Sequence, residues 1–430
     1  MGKASGEGKT FAFLQGPHGP FFYQLARILR SSGAEVFKVG FNQGDCAFWK
    51  ESATYLPYLG RCEDWAEAVR EIYRTNSVTD IVLYGDTRPK HAAAIKAARQ
   101  LGITVHCFEE GYLRPFWVTY ERGGVNGYSR LMDMSVDQMR AELEDRDLDL
   151  PDAPARWGDM RHHTFYGALY HWHILLRNRS YKNYKTHRDV SVLREFGLHF
   201  KRLIDIPAHA IQRRAASLKI RRDGYVYHLA LLQLTHDASI QHHSPIKSMP
   251  EFIRILIENF ASGAATHHHL VIKTHPLEDG RMPLRKIVRA IAVEQGVSER
   301  VHFVRGGKLA GLMNFAKSVV TVNSTAAQQA LWRGLPVKIF GASVYRKPEF
   351  VSEQPLADFF ADPWKPDARA YRDYRHYLLE TSQVTGGFYS AKSRRRLIRG
   401  VVDMVLAKQD PYDSLQTFNA TPRQQLRVVK

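Results

Sequence analysis

Two adjacent carboxylates, Glu109 and Glu110, close an apolar run in VHCFEEGYLRPFW (105–117), with Gly111, Arg114 and Pro115 directly behind them. A third acid, Asp237, lies just beyond another apolar run in LLQLTHDASIQHHSP (231–245). Acids placed so have two readings. In one they shape solvated turns, Asp237 as an Asx turn or helix cap. In the other they stand at the mouth of an α/β site, where two carboxylates facing one anomeric carbon suit a retaining glycosyl transfer: one is the nucleophile, the other the acid/base. Neighbouring strand residues face opposite sides, so Glu109 and Glu110 cannot both point the same way, and the sequence leaves open which is the acid/base.

A second group of residues suits a phosphate. IKTHP (272–276) alternates Lys273 and His275 at the end of a strand, which gives a point charge and a donor on one face, or else a His-Pro turn. TVNSTAAQQAL (321–331) ends a strand in Asn323, Ser324 and Thr325 and then starts a helix that includes Gln329. Ser324 or Thr325 is an N-cap there, and the same geometry aims hydroxyls and amides at an anion. Gln15 and Gly16 open GPHGP (16–20) between a strand and a helix, as a backbone approach to a ligand or a plain turn. GEGKT (6–10) is rejected as a phosphate loop, because Lys3 stands where that pattern needs glycine and no strand precedes it. His242–His243 and His267–His269 lack metal spacing and no acidic DxD pattern occurs, so no metal and no cofactor is expected; cations and helix dipoles would hold the phosphate.

These residues need strand ends to hold them. FAFLQG, EVFKVGF, TDIVLYGD and ITVHCFEEG read as strands alternating with helices at 21–33, 64–76 and 89–102. The alternation fails from about 130 to 222, a charged and mostly helical stretch, and resumes at DGYVYHLALLQ (223–233), HHLVIKTHP (268–276), RVHFVRG (300–306), SVVTVNS (318–324) and LPVKIFG (335–341). Such alternation implies mainly parallel sheets with ligands beyond the carboxyl ends of the strands. The expected fold is α/β and GT-B-like, two Rossmann-like domains with a helical insertion between them and a cleft at the domain interface. The expected domains are 1–130, facing the acceptor; 131–222, a basic helical connection; 223–365, binding the donor; and 366–430, a C-terminal helical segment and tail.

Sixty-one Lys and Arg against 43 Asp and Glu leave a net charge of +18, which favours polyanions. Apart from Tyr181 and Tyr184 in the first of them, the basic runs at 177–185, 211–223 and 393–399 are not interleaved with aromatics as a stacking platform would require, so an anionic lipid surface or a small phosphorylated substrate is expected before nucleic acid. No run of eighteen apolar residues suggests a membrane span, the N-terminus lacks a secretory h-region, and three cysteines without CxxC spacing read as reduced. A cytoplasmic location is expected.

Taken together, FLQGPHGPFF, FEEGYLRPFW, GVNGYS (124–129), LLQLTHDASI, IKTHP and TVNSTAAQQALWRGLPVKIFG resemble the capsule polysaccharide biosynthesis proteins of the KpsS/LipB type, relatives of the KpsC β-Kdo transferases. The resemblance runs in order from about 11 to 350. It implies a retaining transferase that moves Kdo from CMP-β-Kdo to a (lyso)phosphatidylglycerol acceptor. The product would start the poly-Kdo linker of a capsule at the inner face of the bacterial inner membrane, in contact with a capsule biosynthesis and export complex. By this likeness Asp237 is the nucleophile and Glu109 the acid/base, with Glu110 beside it. Lys273 and His275 look like donor phosphate ligands, Ser324 and Thr325 match the nucleotide-binding serine motif, and Arg114 is a candidate for the sugar's carboxylate. Gln329 stands where KpsC relatives carry Glu, and ASVYR (342–346) replaces their usual Ile-Tyr-Asp ending. The same motif trio occurs in bacterial sialyltransferases, so another CMP-sugar or a glycan acceptor is the alternative, and a non-catalytic scaffold for capsule assembly the third.

Overall fold

The computed structural model describes residues 5–143, 159–184, 222–234, 238–278, 280–306 and 309–417, with short pieces of 197–220. The chain divides into two compact units, Met1–His187 with Arg375–Lys430, and Arg188–Tyr374.

The first unit is built on a seven-stranded sheet. Its strands are β1 (Thr10–Phe13), β2 (Glu35–Gly40), β3 (Tyr55–Pro57), β4 (Asp80–Tyr84), β5 (Thr104–Glu110), β6 (Trp117–Arg122) and β12 (Gln383–Thr385). Their order is β3-β2-β1-β4-β5-β6-β12, with β1 to β5 parallel and β6 antiparallel to both β5 and β12. Alternation decides which face each side chain serves. Phe11 and Phe13 of β1 enter one core with Phe108, the helix Phe21–Ser31 and the helix Ala391–Leu406. Ala12 and Leu14 enter the opposite core with Cys107 and the helices Trp65–Thr75 and Pro89–Gln100.

The second unit carries β7 (Val226–Leu231), β8 (His268–Lys273), β9 (Val301–Val304), β10 (Ala316–Thr321) and β11 (Val337–Ile339), all parallel, in the order β9-β8-β7-β10-β11. Its core is filled by the helices Met249–Gly263, Leu284–Glu294 and Leu356–Ala361 against Ala230, Leu270, Ile272 and Val320.

Counted within each unit, both sheets have the strand order 3-2-1-4-5 of a Rossmann-like fold, and two such units in one chain are the components of the GT-B architecture. The order reverses between β1 and β4 in one unit and between β7 and β10 in the other, which are the ligand-binding crevices that such sheets offer. Alternation predicts a mainly parallel first sheet; β6 and β12 add two strands to it that the sequence pattern does not announce.

Candidate active site

Glu109 and Glu110 end β5, and the pleat sends them to opposite faces. Glu110 lies on the face of Phe108 and accepts hydrogen bonds from the hydroxyls of Tyr84 (3.3 Å) and Tyr389 (3.1 Å). Burial and the charge of Glu110 push both phenols well above their ordinary range, so both stay donors. Glu109 lies on the face of Cys107, beside the end of β4. One of its oxygens accepts the Glu110 N–H (3.0 Å), and the other sits where a side chain on Gly85 would approach to 3.1 Å. Burial pushes the Glu109 carboxyl up to about 7; the Glu110 N–H opposes the rise, the Glu110 charge adds to it, and Arg114 and Arg88 oppose it. Arg114 is exposed, and its Nε donates to the Gly111 carbonyl (3.2 Å).

The turn behind the two acids is held from several sides. A Cβ on Gly111 would meet the Trp117 carbonyl oxygen at 2.1 Å, which is why this position takes glycine. Thr119 Oγ1 accepts the Tyr112 N–H (3.2 Å) and donates to the Glu110 carbonyl (3.3 Å). From β12, Gln383 donates to Thr119 (3.0 Å) and accepts the Leu113 N–H (3.3 Å). The buried Glu121 of β6 joins the EEGYLRP and GVNGYS segments: it accepts hydroxyl hydrogen bonds from Tyr112 (2.8 Å), Ser129 and Tyr412 (3.2 Å). Burial pushes Glu121 up to about 7 against those three donors. Asp86, just past β4, accepts the Val125 N–H (2.8 Å), and the Tyr112 hydroxyl accepts that of Asn126 (2.7 Å).

Gln15 and Gly16 follow β1. The Gln15 amide donates to Asp45 (3.1 Å) and to the Tyr170 hydroxyl (3.2 Å), and Tyr170 donates to the other Asp45 oxygen (3.1 Å). Gly16 leaves room for the ring of Phe22, which a Cβ would meet at 2.6 Å. Both residues thus have structural partners at the β1 crevice, in a network that includes Asn42 and the helix Asp159–Arg177.

In the second unit the corresponding crevice is closed by a double hydrogen bond. Gln233, just after β7, donates to Asn323 Oδ1 (2.9 Å) and accepts the Asn323 N–H (3.0 Å) just after β10. Ser324 caps the following turn by accepting the Ala326 N–H (3.3 Å), and its carbonyl accepts the Tyr345 hydroxyl (2.7 Å). The spacing predicts a ten-residue helix from Thr325; the structure has a 3₁₀ turn, Thr325–Ala327, and a four-residue helix, Gln328–Leu331. An anion here would therefore meet local N–H groups and hydroxyls, not a long helix dipole. Gln329 is half-buried in that short helix. Lys273, at the end of β8, is buried and donates to the Thr274 carbonyl (3.2 Å), while His275 lies past the strand and its Nδ1 accepts the Leu277 N–H (3.1 Å). Asp237 lies outside the described residues, as does the side chain of His242.

The pattern of the sequence misses Glu121, Gln233 and Gln383. A signal was present for two of them: Glu121 breaks the apolar strand WVTYER on its buried phase, and Gln233 is the first polar residue after a buried strand. Gln383 gives none, because its partner Thr119 is 264 residues away.

Two Rossmann-like units in one chain, each with polar and charged side chains at the carboxyl ends of its strands, define a fold of the GT-B class. The chain belongs to the capsule polysaccharide biosynthesis protein family, whose sequence model matches residues 79–389. It is 31% identical over 391 residues to the capsule polysaccharide export protein KpsS of Escherichia coli, covering 89% of this chain and 97% of that one. It is 29% identical over 391 residues to the capsule polysaccharide modification protein LipB of Neisseria meningitidis, covering 89% and 92%. Among solved structures, the β-Kdo 2,7 transferase KpsC of Thermosulfurimonas dismutans aligns with 13% identity and a TM-score of 0.44 over 93% of this chain and 100% of that one.

Proposed function

We propose that the protein is a retaining transferase that moves β-Kdo from CMP-β-Kdo to a (lyso)phosphatidylglycerol acceptor at the inner face of the inner membrane, within capsule polysaccharide biosynthesis. The observation that carries this reading is Glu109: a half-buried carboxyl raised to about 7, at the carboxyl end of a parallel strand, beside a second acid already tied to two tyrosines. A group with that pKa serves as acid and as base near neutral pH. No described helix is long and apolar enough to cross a membrane, so the lipid acceptor would be met at a surface.

The reaction runs as a double displacement. The Asp237 carboxylate attacks the anomeric carbon, the bond to the CMP phosphate breaks, and CMP leaves with the electron pair. The departing phosphate is received by Lys273 and His275 and by the hydroxyls and N–H groups of Asn323, Ser324 and Thr325. The acceptor hydroxyl then attacks the same carbon, Glu109 takes its proton, and Asp237 is released. Two inversions give net retention. Arg114, exposed on the same turn as Glu109, is the cation offered to the sugar's own carboxylate.

Incubating the protein with CMP-Kdo and no acceptor, followed by peptide mass spectrometry, tests donor and nucleophile together. The expected result is a Kdo-mass adduct on the peptide containing Asp237, absent from Asp237→Ala. Undiminished lipid glycosylation by Asp237→Ala would sink the nucleophile assignment, and turnover with a different CMP-sugar alone would replace the donor.

A further inference from the structure

The helix Asp159–Arg177 of the first unit has two apolar faces where a surface helix needs one. Its inward face is committed. Tyr170 and Ile174 are buried, Tyr170 within the network of Gln15 and Asp45, and the ring of His163 packs 4.5 Å from that of Tyr389, the donor to Glu110. The outward face nevertheless exposes Phe165 (59%), Trp172 (51%), Leu175 (39%) and Leu176 (52%). Positions 165, 172 and 176 fall within about 20° of one line along the helix. Core packing does not account for this row, and four large exposed apolar side chains on one helix mark an interaction surface.

The charge around the row selects the partner. After Asp159 at the start of the helix the sequence has no Asp or Glu to 188, and among the described residues Arg161, Arg177, Arg179 and Lys182 supply exposed cations. Apolar side chains that include a Trp, flanked by Arg and Lys without acids, suit a layer that is anionic at its surface and apolar beneath. A nucleic acid offers no apolar layer for Leu175 and Leu176. We infer that the outward face of the helix Asp159–Arg177 lies in the headgroup region of an anionic lipid bilayer, with Phe165, Trp172 and Leu176 as its anchors. The inward face of the same helix meets the β1 crevice and the partner of Glu110, so docking would bring a lipid acceptor to the carboxylates. That consequence rests on the proposed function; the docking surface itself does not.

The test uses the whole chain and sedimentation with vesicles of phosphatidylcholine, with and without about 30% phosphatidylglycerol. The parent protein is expected to bind the anionic vesicles more strongly, and the variant Phe165→Ser/Trp172→Ser/Leu176→Ser to lose at least about tenfold in partition coefficient. Arg177→Glu/Arg179→Glu should lose the preference for phosphatidylglycerol. Brominated lipid should quench the parent's fluorescence more than that of Trp172→Phe. Because these side chains are exposed, circular dichroism and transfer to a water-soluble acceptor should stay at parental levels. Equal vesicle binding by parent and triple variant, no binding by the parent, or tighter binding to duplex DNA than to vesicles would each overturn the inference. Vesicle binding without any Kdo transfer would instead refute the proposed function and leave the docking surface standing.

Discussion

A carboxyl group that titrates near 7 is half ionised at neutral pH, and one that titrates near 4 is not; this separates Glu109 from an ordinary surface acid. The folded value of about 7 exceeds the usual 4.5, so between those values the folded state binds a proton that the unfolded chain does not. The stability gained from that proton is present at low pH and lost as pH rises through 7. Glu109→Gln removes the cost of the ionised form, on the order of 2 kcal/mol after allowing for partial exposure. The variant is therefore expected to melt a few degrees above the parent at about pH 8, with the gap closing at about pH 5. A gap independent of pH would mean that Glu109 titrates normally. In activity the same change should lower kcat/KM by about 10²-fold or more and remove the acid limb near pH 7. Tyr389→Phe, which takes one donor from Glu110, should cost about 1–3 kcal/mol of stability and leave that limb in place.

At the scale of elements, the helices that carry the sites are legible from apolar residues recurring near every four positions, and the strands from short, nearly continuous apolar runs bounded by turn residues, as befits parallel strands buried on both faces. FAF, VFKVG and the run before Glu109 obey the strand rule, and their ends are where the candidate residues lie. The division of labour between Glu109 and Glu110 is not legible, since the pleat separates neighbours without saying which face holds the tyrosines. Tyr389 sits 279 residues from Glu110. The helix after Ser324 is misjudged for a local reason: TAAQQAL has good helix formers, but the chain tightens into a 3₁₀ turn as soon as Ser324 caps it. The Gly111 turn makes the sharpest test at this scale. Gly111→Ala places a methyl group 2.1 Å from the Trp117 carbonyl oxygen and 2.6 Å from its carbon, both backbone atoms. The β5–β6 pairing must open to admit it, at a cost of about 3 kcal/mol or more, read as a lower urea midpoint. An unchanged midpoint would show that the turn is not held as described.

For the molecule as a whole, sequence order is a poor guide to which segments share a core. The residues after Tyr374 read as a helical segment and tail, yet Arg375–Lys430 belongs with the first unit. Among the described residues, nine of the 23 in one of that unit's cores come from it: Val384, Phe388, Tyr389, Leu397, Ile398, Val401, Met404, Val405 and Leu406. Polar ties fix its position. Arg122 donates to the carbonyls of Met404 (2.9 Å) and Ala407 (2.6 Å), closing the end of the helix Ala391–Leu406, and Arg394 Nε donates to Gln24 (3.1 Å). β12 completes the sheet edge and supplies Gln383 to the turn behind Glu109. Deleting one buried aliphatic side chain costs about 2–5 kcal/mol, and a whole domain is stable by about 5–15 kcal/mol. Removal of nine buried apolar side chains, two of them aromatic, exceeds what the first unit has to lose. A chain ending at Tyr374 is therefore expected to lose the first unit's protease resistance and its near-ultraviolet circular dichroism while the second unit keeps its own core. Val401→Asp, a single charge in the same core, should lower the unfolding midpoint in the same direction without removing the segment. Recovery of a protease-resistant fragment spanning β1 to β6 from the truncated chain would show that the N-terminal sheet stands without its C-terminal partner.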